Sequence, residues 1–196
     1  LDNLDSFTYN IAHMICGLGY DVNIMNGRGD TPHSAREIME LLNPSHVILG
    51  PGPGWPEDSP LTMEFAKMAL AGELPPTLGI CLGHQALGIA AGWSLTPSPS
   101  GPVHGIPVEC LHNGRGLFTN LSEINMTRYN SLTLLSADHH ANSEFHIDAT
   151  DATKSLVLAI RSETHPVFGV QFHPESVGSR DGTLILDAFL NYQAHG

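Results

Sequence analysis

Basic residues are scarce in this sequence. Of its 196 residues, 8 are lysine or arginine and 20 are aspartate or glutamate, which gives a formal net charge of −12. Because a phosphate backbone is bound by clustered lysine and arginine side chains, this balance argues against a nucleic acid partner.

Long apolar runs and paired cysteines are also lacking. No apolar run approaches the length of a membrane span or a signal peptide, so we expect no membrane contact. The three cysteines are an odd number without C-x-x-C spacing. This pattern argues against a disulfide framework or a cysteine zinc site and suits a reducing compartment, so we expect a cytoplasmic protein.

The sequence also lacks histidine, cysteine and acidic residues at the spacing of a metal site. His139 and His140, with Asp138 beside them, form the most metal-like group in the chain. They lack the spacing that would place ligands on a shared face, and a solvated acidic loop explains them better. We therefore predict no metal and no other cofactor.

Strand-like and helix-like segments alternate through the first half of the chain. Apolar residues recur at helical spacing in segments 7–18, 31–42 and 59–72, and short apolar runs separate them. This alternation predicts an α/β fold with a mostly parallel central sheet flanked by helices. After Gly92, short strand candidates separated by turns predict an additional antiparallel region, and a last helix is expected at 183–192. The strand candidates are 21–25, 46–49, 78–81, 106–111, 126–132, 145–150, 156–160 and 167–172.

The chain is long enough to bury a substantial core, and we expect residues 1–196 to form one domain. A βαβ pattern needs a strand before its first helix, yet the sequence enters that helix almost directly. We therefore expect the first strand of the fold to lie upstream of Leu1, in a polypeptide that was trimmed or cut from a longer one.

A sharp turn from a strand into a helix is predicted at Cys81. Gly79 and Gly83 flank it in the pattern G-x-nucleophile-x-G, in which small neighbours allow a strained turn to expose the reactive side chain. The helix N-terminus favours thiolate over thiol, and the free N–H of Leu82 can stabilise an oxyanion. Cys81 is therefore a candidate nucleophile, although most cysteines are simply small buried hydrophobic residues.

A candidate base and its orienting carboxylate follow an apolar strand near the end of the chain. Residues two apart in an extended chain point the same way, so Glu175 can lie beside His173. Glu175 would hold the imidazole tautomer, while His173 would hold the thiolate and later donate a proton. Alone, this pair is more often found on the surface, but with Cys81 it predicts a triad. His84 is a rival base that a structural role explains better.

Two further elements can bind a substrate. The glycine and proline loop at 50–56 lets the backbone approach a ligand and can supply a second oxyanion donor, although an ordinary strand exit has the same composition. Gln85, four residues after Cys81 on the same helical face, can bind a substrate through its amide.

Together these motifs resemble the class I (triad) glutamine amidotransferases, and more narrowly the glutaminase component of anthranilate synthase and aminodeoxychorismate synthase. The matching segments are 2–10, 51–54, 79–85, 104–105, 128–132 and 169–176. The resemblance implies a flavodoxin-like fold and hydrolysis of glutamine to glutamate and ammonia through a Cys81 γ-glutamyl thioester. It also implies a partner, a chorismate-binding synthase subunit or fused domain that receives the ammonia. The implied contacts to glutamine are Gly52, Pro53, Gly54, Leu82, Gln85, Ser131 and Leu132.

Two residues depart from the family's usual pattern. Asn130 stands where histidine is usual, and Ile106 follows His-Gly where lysine is common. The first alters the expected substrate pocket, and the second bears on the expected synthase contact, for which segments 3–8 and 104–105 are the candidates. Alternative functions are a glutaminase of the carbamoyl phosphate or GMP synthetase type, a catalytically silent partner-binding domain, and a γ-glutamyl peptidase.

Overall fold

The computed structural model describes residues 1–29, 32–99, 101–135 and 144–192. These residues contain five α-helices and nine β-strands. The helices are α1 (Thr8–Gly17), α2 (Ala35–Leu42), α3 (Pro60–Leu70), α4 (Leu82–Ala90) and α5 (Gly182–Leu190). The strands are β1 (Val47–Leu49), β2 (Thr77–Ile80), β3 (Leu95–Pro97), β4 (Ile106–His112), β5 (Ile124–Arg128), β6 (Leu132–Leu134), β7 (Phe145–Thr150), β8 (Val157–Ser162) and β9 (Val167–Val170).

Seven strands form one mixed sheet in the order β1-β2-β9-β8-β7-β4-β5. Strands β1, β2 and β9 are parallel, and the remaining neighbours are antiparallel. Strands β3 and β6 form a separate antiparallel pair. The predicted α/β fold is confirmed, and its parallel and antiparallel regions are joined in a single sheet.

Helices cover both faces of this sheet. Helices α1 and α5 belong to one hydrophobic cluster, and α2, α3 and α4 belong to another. Strand β9 contributes to both, with Phe168 and Val170 in the first cluster and Val167 in the second. Burial on both faces explains why the central strands are apolar without alternation. In the described ranges, no helix is both long enough and apolar enough to span a membrane.

Most strand candidates match observed strands within a few residues, but segment 126–132 is divided. Strand β5 ends at Arg128, and the chain turns through Asn130 before β6 begins at Leu132. Side-chain hydrogen bonds hold this turn, because Asn130 accepts from Arg128 and donates to the Leu132 carbonyl oxygen. Strand β3, which pairs with β6, was not predicted from the sequence.

The strand predicted at 21–25 is not formed. Two backbone hydrogen bonds, between Asp2 and Met25 and between Asp2 and Gly27, form a single parallel bridge there. The amino group of Leu1 donates to the Ile48 carbonyl in β1. An isolated bridge cannot sustain a strand, since each strand needs a neighbour along its length. A cavity of about 210 Å³ lies between this segment, β1, α1 and α2. The strand expected upstream of Leu1 stays a prediction.

Candidate active site

Cys81 occupies the turn between β2 and α4 in a strained backbone conformation. Its φ of 52° and ψ of −101° lie in a region that residues with a Cβ rarely adopt. Two backbone hydrogen bonds fix the turn, from Cys81 N–H to the Val170 carbonyl at 2.8 Å and from Gln85 N–H to the Cys81 carbonyl at 3.1 Å. The sharp turn expected from the sequence is therefore present.

The flanking glycines are required by close packing. A Cβ added at Gly79 would lie 2.5 Å from the carbonyl carbon of Gly83. A Cβ added at Gly83 would lie 2.0 Å from the carbonyl oxygen of Leu49. Both distances are well inside van der Waals contact, so β2, α4 and the end of β1 can approach this closely only where no side chain intervenes.

His173 and Glu175 form a buried pair beyond the end of β9. Nδ1 of His173 lies 2.6 Å from Oε1 of Glu175, and the two side chains are 2% and 0% exposed. The His173 N–H donates to the Thr127 carbonyl at 2.9 Å, and its own carbonyl accepts from Ser179 Oγ at 2.6 Å. His173 and Glu175 are therefore a buried pair and not a surface ion pair, and hydrogen bonds to the backbone of His173 fix its position.

The charged neighbours of His173 outweigh its burial. Burial alone would lower the pKa of His173, but Cys81 and Glu175 raise it to about 10. Nε2 is buried and has no partner of normal hydrogen-bond geometry in the described ranges. Cys81 is nevertheless near enough to act on the ring, and together with Glu175 it favours the charged imidazolium form of His173.

Two aromatic rings pack against His173. The ring of Phe7 lies 5.4 Å from the imidazole and that of Tyr129 lies 5.0 Å away, both edge-on. The two aromatic rings are 4.9 Å apart, and Tyr129 Oη lies 3.0 Å from Ser176 Oγ. These contacts were not predicted, and only the presence of Phe7 and Tyr129 in motif segments hinted at them.

Buried amides connect the helix to the nucleophile. Gln85 Nε2 donates to the Leu132 carbonyl and to Gln171 Oε1, each at 3.0 Å. Gln171 Nε2 in turn lies 3.6 Å from Cys81 Sγ. Gln85 was a predicted site residue, whereas Gln171 was not. Its position directly after β9, two residues before His173, was the available signal.

The glycine and proline loop leaves the same edge of the sheet as the Cys81 turn, because β1 and β2 are parallel neighbours. Asn3 anchors it by donating Nδ2 to the Gly50 carbonyl at 2.9 Å, and the Arg28 guanidinium donates to the Pro53 carbonyl. Gly54 has a φ of +83°, so a residue with a side chain there would be strained.

Ser131, another predicted site residue, is exposed, and its carbonyl accepts from Ser98 N–H.

His84, the rival base, lies in the core with no exposed surface. Burial lowers the pKa of His84 to about 3, although the Gly169 and Val157 backbones partly oppose this shift. Within the described part of the chain, neither ring nitrogen has a partner of normal hydrogen-bond geometry. His84 is therefore a neutral core residue.

Histidines 139 and 140 lie outside the described residues. Elsewhere, over residues 1–29, 32–99, 101–135 and 144–192, no group of three or more histidine, cysteine or acidic side chains could hold a metal ion.

Comparison with known proteins agrees with the architecture. The family model for class-I glutamine amidotransferase matches residues 1–192. Anthranilate synthase component 2 of Azospirillum brasilense is 36% identical over 192 residues, covering 97% of this chain and 93% of that protein. Aminodeoxychorismate synthase component 2 of Serratia marcescens is 39% identical over 195 residues, covering 97% of each.

Longer relatives and solved structures also match. The bifunctional protein TrpGD of Thermotoga maritima is 36% identical over 194 residues, and the match spans 98% of this chain but 32% of that protein. The crystal structure of a Thermoplasma acidophilum protein, assigned as part of a GMP synthase, shares the fold, with a TM-score of 0.79 at 21% identity, over 97% of this chain and 89% of that one. The chain therefore belongs to the class-I glutamine amidotransferase family.

Proposed function

We propose that this amidotransferase is the glutaminase component of an anthranilate or aminodeoxychorismate synthase. It hydrolyses glutamine to glutamate and ammonia and delivers the ammonia to a chorismate-binding synthase. The observation that carries this proposal is the buried, charge-favouring His173–Glu175 pair beside the strained Cys81 turn. A site with this chemistry is what thioester formation requires.

In the proposed reaction, the Cys81 thiolate attacks the γ-amide carbon of glutamine. The tetrahedral oxyanion is held by the N–H of Leu82 and by that of Gly54 or its neighbour. The His173 imidazolium protonates the leaving nitrogen, so the C–N bond breaks, ammonia departs and a γ-glutamyl thioester remains. Neutral His173 then takes a proton from water, whose oxygen attacks the thioester carbon and releases glutamate and the thiolate.

Glutamine itself is held in this proposal by Gly52, Pro53, Gly54, Gln85, Ser131 and Leu132. Both N–H groups of the Gln85 amide are directed at protein acceptors, so Oε1 is the atom of this side chain that we assign to the substrate. The carbonyl oxygen of Leu132 already accepts from Gln85 and Asn130, so other atoms of that residue would face glutamine.

The proposed partner is a chorismate-binding synthase subunit or a fused synthase domain. Its contact surface would include segments 3–8 and 104–105. Large apolar side chains are exposed beside both, with Leu4 61%, Tyr9 62% and Ile106 57% exposed. Exposed apolar groups of this size are typical of protein interfaces. We further propose a cytoplasmic location, which suits the free thiols of all three cysteines.

The test is an assay of ammonia release from glutamine by the full chain, alone and with each candidate synthase, and by the Cys81→Ala variant. We expect loss of activity in the variant and a chorismate-derived amine when the correct synthase is added. An active Cys81→Ala variant would refute the nucleophile assignment. Amination only of a carbamoyl phosphate or GMP synthetase substrate, or a preference for γ-glutamyl peptides, would instead support those alternatives, and no activity would support a silent binding domain.

A further inference from the structure

Gln171 is fully buried and touches the sulfur of Cys81, yet the reaction above gives it no task. It follows β9 directly, and its N–H donates to the Leu158 carbonyl at 2.9 Å. Because Cys81 N–H donates to the Val170 carbonyl, Cys81 and Gln171 lie side by side just beyond the ends of the paired strands β2 and β9. Their relative position is thus fixed by the backbone.

The direction of the Gln171 amide follows from a single unambiguous acceptor. The Leu132 carbonyl oxygen can only accept, so the Gln85 atom 3.0 Å away must be its nitrogen. That nitrogen has a second N–H, which points at the Gln171 amide at 3.0 Å, so the atom it meets is Oε1. The remaining Gln171 atom, Nε2, then faces Cys81 Sγ as a donor.

The anchor carbonyl is itself held rigidly. Asn130 Nδ2 donates to the same Leu132 oxygen at 2.8 Å, and Asn130 Oδ1 accepts from Arg128 Nε at 3.0 Å. Arg128 and Asn130 are 2% and 4% exposed. Asn130, which stands where the family usually has histidine, therefore has a definite task, because its amide is both donor and acceptor.

We propose that Gln171 is a positioning residue for the amidotransferase reaction, whose locked amide donates a hydrogen bond to the Cys81 thiolate and holds the sulfur for attack. A hydrogen bond to an ionised acceptor is stronger than one to a neutral acceptor, so this donor favours thiolate over thiol. It also directs one lone pair of the sulfur, which leaves the others for His173 and the substrate carbon. The proposal rests on Cys81 as nucleophile but not on which synthase receives the ammonia.

The test measures thiolate formation without requiring turnover. The full chain is alkylated with iodoacetamide across a pH series, in a Cys16→Ser background that removes the exposed thiol. Cys81→Ala in the same background gives the blank. Gln171→Met keeps the length of the side chain and removes the donor, so we expect the midpoint of the alkylation profile to rise by about one pH unit.

Gln171→Glu is the second variant. Its side chain has the same shape and still accepts from Gln85, but it places an oxygen against the sulfur. We expect a larger upward shift than in Gln171→Met. In ammonia release, kcat should fall about tenfold in Gln171→Met while KM changes less than about threefold, because the amide contacts the nucleophile and not the substrate.

An unshifted alkylation profile in either variant that retains the parental circular dichroism spectrum and cooperative unfolding would overturn the proposal. If Gln171→Met does not fold, the isosteric Gln171→Glu variant decides. A parent protein that alkylates normally but releases no ammonia from glutamine would count against the proposed function alone, so the two failures can be told apart.

Discussion

Two buried histidines of this molecule have opposite character. His173 is 1% exposed and His84 is 0% exposed, so burial does not separate them. The pKa of His173 is raised to about 10, and that of His84 is lowered to about 3. His173 interacts with Cys81 and Glu175, whereas the groups that interact with the His84 ring are the Gly169 and Val157 backbones.

The difference shows what creates a charged group inside a protein. Removing an imidazole from water disfavours its charged form, and this effect acts on both residues. Only partners at short distance that favour the charged form reverse it, and His173 has two of them, Cys81 and Glu175. The chain thus contains two buried imidazoles, one beside partners that favour its charged form and one without such partners.

Glu175→Gln should remove one of the two partners that raise the pKa of His173 and so shift its character toward that of His84. The amide keeps the shape but removes the negative charge and offers a donor to Nδ1, which favours the wrong tautomer. We expect kcat for ammonia release to fall about a thousandfold with little change in KM.

The matched control is Glu163→Gln. Glu163 Oε1 lies 2.6 Å from His146 Nε2, the same separation as in the site, but these side chains are 66% and 41% exposed. Since exposed ion pairs contribute little, this variant should keep parental activity. Equal losses in the two variants would contradict a special role for the buried pair.

His84 should limit stability in acid. Its folded-state pKa of about 3 lies below the unfolded value of 6.5, so the unfolded chain binds the extra proton and stability falls as pH drops through this window. Between pH 6.5 and 5, the loss due to this residue should be about 2 kcal/mol.

His84→Leu should remove that part of the acid dependence and be at least as stable at pH 7, since neither ring nitrogen has a partner of normal geometry in the described ranges. Urea unfolding at pH 7 and pH 5 measures both effects. A parental acid dependence in His84→Leu would show that the ring takes up its proton as readily in the folded state as in the unfolded state.

His173 should act on stability in the opposite direction. Its folded-state pKa lies above the unfolded value of 6.5, so its contribution is complete below pH 6.5 and is lost as pH rises toward 10. Over one pH unit above pH 7 this loss should be at most about 1.4 kcal/mol. Glu175→Gln should flatten the slope in urea unfolding at pH 7 and pH 8, and an unchanged slope would mean that Glu175 does not hold the proton on His173.

Phe7→Leu should have the smallest effect. It removes the edge-on contact with the His173 ring and that with Tyr129, and such contacts contribute about 1 kcal/mol. We expect kcat to fall a few fold, with the pH profile of ammonia release unchanged because the charges around His173 remain. A shifted pH profile would show that Phe7 controls water access to the ring. Tyr9→Leu, an exposed position on α1, is the control when ammonia release is measured without the synthase.

Short sequence patterns predicted the helices and the Cys81 turn, because interactions between residues close in the chain determine these elements. Helical spacing identified α1, α3 and α5 within a few residues, and Gly79 and Gly83 identified the Cys81 turn. The 21–25 strand was wrong because a strand depends on a neighbour that the segment's own residues do not specify.

Contacts between segments that are distant along the chain could not be predicted from the sequence for the same reason. Gln171 lies 90 residues from the sulfur that it contacts, and nothing in its own segment reports that distance. Phe7 reaches His173 across most of the chain. The pairing of β2 with β9 creates the first contact, and the position of the start of α1 beside the segment after β9 creates the second.

The pairing of β2 with β9 also determines the separation between Cys81 and His173. Cys81 continues β2 and His173 follows β9, and four residue pairs join these strands, from Thr77 with Val167 to Ile80 with Val170. A slip of one residue would move the imidazole by about 3.3 Å relative to the sulfur. The separation of Cys81 from His173 is therefore determined by main-chain hydrogen bonds, and a change of strand side chain leaves that separation unaltered as long as the two strands keep this register.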